Sequence, residues 1–389
     1  MNSLGWDELR MNEDEAQALL RSRLPQEFSE GRIQEICRMA DGWPAGLSLM
    51  AVENGSGMPR ANGGIGRERL FDFFASEILG QIRPMTRELL LQMSVFPRFT
   101  PRQAQALTGL TSAETELKRL AGSGHFTMAR PGVEPVYEFH PLFRDFLRRQ
   151  AVETRSRRAW CALQERAGMS LAEDGQLYEA FDCYREAGAV ERQVALLKAH
   201  VMPFLAKGQH HTVQAWINSL PASRIEEDPW ILVWKGISGI PTDPKGSFAC
   251  LEKAFHRFGR VGESAGQMAA WSAVVESRHY GWDEYASLDS WIHWMDQHEK
   301  AFEALDETPI REAVTVSMVW ALLRRFPTHP RMEQWVKRCE RTMKESLQPQ
   351  VRMQAGMGAF MYRFWGGEQT ACEALAQEAR LQAASLQEP

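Results

Sequence analysis

From about Arg155 onward, apolar residues recur three and four positions apart in run after run, with Gly and Pro breaks between the runs. Over so long a stretch this pattern leaves few folds open. Strands need strict alternation and a membrane span needs about 18 or more consecutive apolar residues; neither is present, so stacked helices are expected. Residues 175–188, Gly-Gln-Leu-Tyr-Glu-Ala-Phe-Asp-Cys-Tyr-Arg-Glu-Ala-Gly, carry the small and aromatic positions of a tetratricopeptide-type helix pair. A looser copy begins at Gly208, residues 230–239 and 248–258 suggest a third pair, and further pairs continue through Trp271, Trp282, Trp291, Trp320, Trp335 and Trp365. Indole is the largest apolar anchor available to such pairs, so most of these tryptophans are expected in the core. Trp282, Trp291 and Trp294 are the candidates for a groove, because stacked pairs leave a concave face suited to a peptide, a small effector or a partner protein.

Ahead of the array, residues 67–150 read as four helices, two strands at residues 124–130 and 136–139 turning around Pro131-Gly132, and a last helix. That order is a winged helix. The helix expected to enter a DNA groove offers only Arg102, and its neighbour mixes Glu114 and Glu116 with Lys118 and Arg119, which favours a lid on a nucleotide domain over a DNA reader. At the junction Tyr137-Glu138-Phe139-His140-Pro141-Leu142-Phe143-Arg144-Asp145-Phe146-Leu147, an alternating strand runs into a helix. Pro141 suits the first helical turn, which leaves His140 at the N-cap beside unpaired N–H groups that favour an anion such as phosphate. Residues 1–55 read as three short helices: one capped by Asn12, one starting at Ser29, and one opened by Pro44 after the stop Asp41-Gly42. Residues 54–66 are rich in Gly, Ser, Asn and Pro and read as a linker; their Gly63-Gly64-Ile65-Gly66 lacks the Lys-Ser/Thr of a phosphate loop.

Two of these stretches carry a resemblance. Phe139-His140-Pro141-Leu142-Phe143 resembles the segment that closes the winged-helix domain of MalT-like ATP-dependent transcriptional regulators, members of the STAND class of signal-transducing NTPases. Gly42-Trp43-Pro44-Ala45-Gly46-Leu47 resembles the Gly-x-Pro signature of the helical domain that precedes it. The resemblance implies that His140 contacts the β-phosphate of ADP and holds a resting state closed, and that Pro44, with Trp43 beside it, packs against adenine. Phe139 and Pro141 stand where the wider class has Met and Asp. The expected fold is mostly α: a helical lid subdomain over residues 1–57, a winged helix over 67–152 and a TPR-like α-solenoid over 153–389.

No Gly-x-x-x-x-Gly-Lys-Ser/Thr occurs, so the chain is read as the middle of a larger regulator or a truncated product, not an enzyme by itself. ATP or ADP is expected only in the full-length context, and no nucleotide is expected to bind this chain tightly alone. Expected partners are an effector or regulatory protein at the repeats, with self-association open; DNA would be reached through another domain. The alternative is a stand-alone repeat scaffold without nucleotide dependence. The basic run Arg144, Arg148, Arg149, Arg155, Arg157 and Arg158 reads first as a solvated face and second as a phosphate or acidic-partner contact. A net charge of −5 argues against a chain-wide nucleic-acid surface. Six scattered cysteines suggest neither a disulfide framework nor a metal cluster, and His279, His293 and His298 lack metal spacing, so no metal site is expected. A polar, acidic start fits a cytoplasmic protein with no membrane association.

Overall fold

The structure is a computed structural model that describes residues 11–23, 29–40, 42–44, 47–48, 51, 71, 74, 79–80, 82–122, 126–130, 132–281, 285–306 and 309–385. The linker expected at residues 54–66 lies outside the described residues, as does most of the first helix expected after it. The chain divides into two compact units, residues 1–196 and 197–389, each described by itself. As expected, helices dominate and the described strands form one small wing.

The first unit begins with α1 (Glu13–Arg23) and α2 (Glu30–Ala40). Asn12 caps α1 reciprocally: its Oδ1 accepts from the Glu15 N–H at 2.9 Å, and its own N–H donates to the Glu15 carboxylate at 2.9 Å. The winged helix follows as α3 (Pro84–Met93), α4 (Pro101–Thr108), α5 (Ala113–Gly122), β1 (Thr127–Arg130), β2 (Val136–Phe139) and α6 (Pro141–Thr154). β1 and β2 are antiparallel, with Thr127 opposite Phe139 and Arg130 opposite Val136. Phe99 adds an isolated rung to β2 that the sequence reading missed, since its N–H donates to the Tyr137 carbonyl at 2.9 Å and its carbonyl accepts from the Tyr137 N–H at 2.8 Å. One bridging residue is too short to show alternation.

α5 leads into the wing and contacts β1. Its two basic residues are engaged within the fold: Lys118 pairs with Glu114 at 2.6 Å, and Arg119 pairs at 3.0 Å with Glu116, which also accepts from Thr86. Arg102 on α4 pairs with Asp174, and Gln103 donates to the same carboxylate at 2.8 Å. Asp174 ends α7 (Arg157–Glu173), which packs with α8 (Leu177–Ala187) as the tetratricopeptide-type pair. Gly168 permits this close approach, because a Cβ there would lie 2.6 Å from the Tyr184 ring. The first pair therefore packs onto the winged helix inside one unit.

The basic run departs from its first reading. Arg144 is mostly internal, donating to the Ser94 and Val95 carbonyls at 3.0 and 3.1 Å, where a cation suits the end of α3. Burial, reinforced by Arg148, pulls its pKa below the usual guanidinium value. Arg148 pairs with Glu186 and Arg155 with Glu88, both at 2.5 Å, so these charges tie helices together. Arg157 and Arg158 remain exposed.

α9 (Val190–Ala206) contains the division between the units. The second unit continues with α10 (His210–Asn218), α11 (Ala222–Glu227), α12 (Pro229–Gly239), α13 (Pro244–Val261), α14 (Ser264–Gly281), α15 (Leu288–Gln297), α16 (Glu299–Glu303), α17 (Pro309–Arg325), α18 (Met332–Glu345), α19 (Pro349–Trp365) and α20 (Gln369–Ser385). Helices α12, α14, α17 and α19 form one row of neighbours; α13 packs between α12 and α14, and α18 between α17 and α19. Trp271 and Trp335 are buried anchors, as expected for indoles in loosely repeated pairs.

Candidate functional site

Two places merit scrutiny: the corner that joins the two family-like motifs, and a groove in the second unit. At the corner, the structure brings Trp43 and His140 together. Gly42 takes a left-handed φ of 76°, the Trp43 N–H returns to the Ala40 carbonyl at 2.8 Å, and Pro44 starts the next helical turn. The Trp43 ring meets the His140 ring edge-on at 6.2 Å and the Phe126 ring at 4.7 Å. Phe74 stacks on Trp43 at 5.7 Å and meets Phe143 at 5.3 Å, so the corner plugs into the aromatic face of α6. Phe126 reaches this cluster from a left-handed backbone with φ 51°, a conformation costing on the order of 1–3 kcal/mol for a residue with a side chain. Its carbonyl accepts the His140 N–H at 2.9 Å.

His140 occupies the N-cap of α6, but its side chain makes no cap hydrogen bond. Its Nε2 lies 3.2 Å from the Ala40 carbonyl at the end of α2. With His140 only 1% exposed, the imidazole does not open onto a surface shared with the partly exposed Pro44, as a nucleotide-facing pair would. The physical reason is local. A helix C-terminus presents carbonyls without intrahelical partners, and a buried ring nitrogen beside one takes it. Trp43, at 7% exposed, is a core anchor of the corner in this arrangement.

The groove lies where α14, α17 and α19 run side by side. Ser272, Glu276 and His279 of α14, Ser317 and Trp320 of α17, and Met353 and Met357 of α19 are among the residues around a cavity of about 270 Å³. Their spacings of three and four place each set on one helical face. Ser317 Oγ donates to the Ser272 carbonyl at 3.2 Å, joining α17 to α14. Trp320 lies 4.8 Å from the His279 ring and has the accessible surface expected of a groove residue. Of the tryptophans proposed for the groove, Trp291 is 8% exposed and packs on Phe255, and Trp294 stacks on His298 at 4.0 Å; Trp282 falls outside the described residues.

Glu276 is the group that sequence reasoning missed. Among the described residues it has neither a hydrogen-bond donor nor an ion-pair partner, and burial raises its pKa above the ordinary carboxylate value. The residue retains some accessible surface and faces the cavity. One signal was available. Ala269-Ala270-Trp271-Ser272-Ala273-Val274-Val275 is almost wholly apolar, so the next residue's charge falls on a helix with little solvent-facing surface. Burial also lowers the pKa of His279, with Arg324 adding to the effect, which favours a neutral ring at pH 7.

Among the described cysteines, Cys183 is pushed up to about 12 by burial, and Cys339 and Cys250 are raised for the same reason. Among the described residues no cluster of three His, Cys, Asp or Glu side chains could hold a metal ion, and no helix is long and apolar enough to cross a membrane.

Comparisons with known proteins bear on this geometry. Residues 75–159 match the MalT winged helix domain family, which bears out the resemblance on the stretch that contains His140. The serine/threonine-protein kinase PknK of Mycobacterium tuberculosis is 31% identical over 221 residues, covering 56% of this chain and 20% of that protein. The HTH-type transcriptional regulator MalT of Yersinia pestis is 29% identical over 153 residues, covering 38% of this chain and 17% of the regulator. The chain thus spans about a fifth of the length of these relatives. A crystal structure of a STAND protein with a tetratricopeptide repeat sensor from Pyrococcus horikoshii aligns with 97% of this chain and 61% of its own, at 12% identity and a TM-score of 0.49.

Proposed function

From a chain that carries a MalT winged helix domain, we propose a regulatory portion of a STAND-type, ATP-dependent transcriptional regulator. The observation that carries the reading is the direct contact between the two family-like motifs: Trp43, next to Pro44, meets the His140 ring, although their helices are far apart in sequence. In this proposal a phosphate-loop domain elsewhere in the full-length protein binds ATP or ADP, and the corner forms its lid. His140 exchanges the Ala40 carbonyl for a phosphate oxygen when nucleotide is held, while Pro44 faces the adenine. The helix array senses a small effector or a regulatory protein. DNA is reached through a separate domain, and the protein works in the cytoplasm.

A second reading, a repeat scaffold without nucleotide dependence, draws on one observation: the His140 ring already has an internal acceptor. Calorimetry with ADP, paired with phosphate-release assays, separates the two. The first reading expects tight binding and turnover by the full-length regulator, and weak binding without turnover by residues 1–389 alone. Full-length protein that neither binds nor hydrolyses nucleotide would leave only the scaffold.

A further inference from the structure

We infer that the groove between α14, α17 and α19 receives a small organic cation, an ammonium group on an apolar body, with Glu276 as its counter-charge and Trp320, Met353 and Met357 around the body. The inference rests on the sensor role proposed for the array and specifies the chemistry of its ligand. The starting point is an unbalanced site. Among the residues around the cavity Glu276 alone is an acid and none is Lys or Arg, and among the described residues nothing pairs with it. The nearby cations are directed elsewhere: Arg278 lies 3.6 Å over the Phe248 ring, Arg324 stacks on Tyr285 at 5.1 Å, and Arg352 lines the adjoining cavity beyond Met353 and Met357, with Met343 and Leu375. His279 is held toward its neutral form, and Tyr280 is kept protonated by burial and by Glu276 itself. A cationic ligand in the groove would supply the counter-charge that these side chains do not.

The walls suit the rest of such a ligand. Trp320 offers an aromatic face, the best platform for a desolvated cation, and the two methionines are adaptable apolar contacts, 62% and 52% exposed in the unliganded groove. The volume of about 270 Å³ falls just under the usual range for ligand cavities of about 300–1,000 Å³, which selects a small molecule over a peptide helix. An apolar helix laid across the groove would cover Glu276 without neutralising it.

The test is calorimetric titration of the full chain with 2-phenylethylammonium and with its neutral counterpart 2-phenylethanol at pH 7.5. The wild-type protein should bind the ammonium at least tenfold more tightly than the alcohol. Glu276→Gln, nearly isosteric and checked for folding by circular dichroism, should remove that preference while leaving alcohol binding within about twofold. Trp320→Ala should weaken both probes. If Trp320→Ala weakens both but Glu276→Gln changes neither, the groove is a ligand site and the cation inference is wrong. If the wild-type chain binds neither probe at millimolar concentration, the cation inference is also wrong; the sensor reading then stands or falls on effector-dependent transcription by the full-length regulator.

Discussion

Replacing His140 by Ala should loosen the corner from the winged helix, by an amount set by two contributions. The buried hydrogen bond to Ala40 contributes about 1 kcal/mol net, and the carbonyl is not stranded by its loss because it keeps the Trp43 N–H at 2.8 Å. Loss of the imidazole from a site 1% exposed, with its edge contacts to Trp43 and Phe126, adds roughly 1–2 kcal/mol. The expected total is about 2–3 kcal/mol. Because the effect is local, hydrogen exchange resolved by peptide is the suitable assay: amides in α2 and at the start of α6 should exchange roughly 30- to 160-fold faster, while α18 and α19 are unchanged. His140→Gln, which keeps a donor near the same place, should recover part of the loss. A change of less than about twofold in α2 would show that the Ala40 contact does not hold the corner, and the argument would fail.

The other expectations concern charges inside each unit. In Glu116, burial alone would raise the pKa, but hydrogen bonds from Thr86 and Arg119 and the nearby Arg83 guanidinium hold it below the ordinary value. Its contribution is therefore present above the unfolded value of about 4.3 and lost as pH falls through the lower folded value; Glu116→Gln should flatten that acid limb in thermal melts. Glu276 has the opposite sign, since its raised folded pKa makes the protein lose stability as pH rises from about 4.3 through that value, and Glu276→Gln should abolish the loss. Arg363, 7% exposed, donates to Glu333, Glu340 and Glu368 at 2.9, 2.9 and 3.2 Å. Arg363→Met should cost about 1–3 kcal/mol in urea melts, less than for a wholly buried pair because the carboxylates are partly solvated.

What the sequence made legible follows from how local each signal is. Helix starts at Asn12 and Pro141 rest on signals within a turn, and the structure has a helix at each. The two wing strands were found because they alternate; the first proved shorter than expected, beginning at Thr127. The Phe99 rung escaped because one residue has no period. The basic run was read outward because charge alone does not reveal that carbonyls of α3 await Arg144. Trp320 was grouped with the core tryptophans, and Glu276 drew no attention, because a groove is made by three helices whose mutual rotation no single helix encodes. His140 and Trp43 were singled out by resemblance; their contact is a long-range fact that only the fold supplies.

The most direct measurement on the central claim is the release of a fluorescent ADP analogue from the full-length regulator, read beside transcription from its target promoter, in wild type and in His140→Ala. If His140 holds the resting state by touching phosphate, the variant should release ADP faster and transcribe without effector, because the closed population has lost its stabilising contact. Unchanged ADP release, with transcription still effector-dependent, would contradict the lid account and leave His140 as the residue that ties the Ala40 carbonyl to the winged helix.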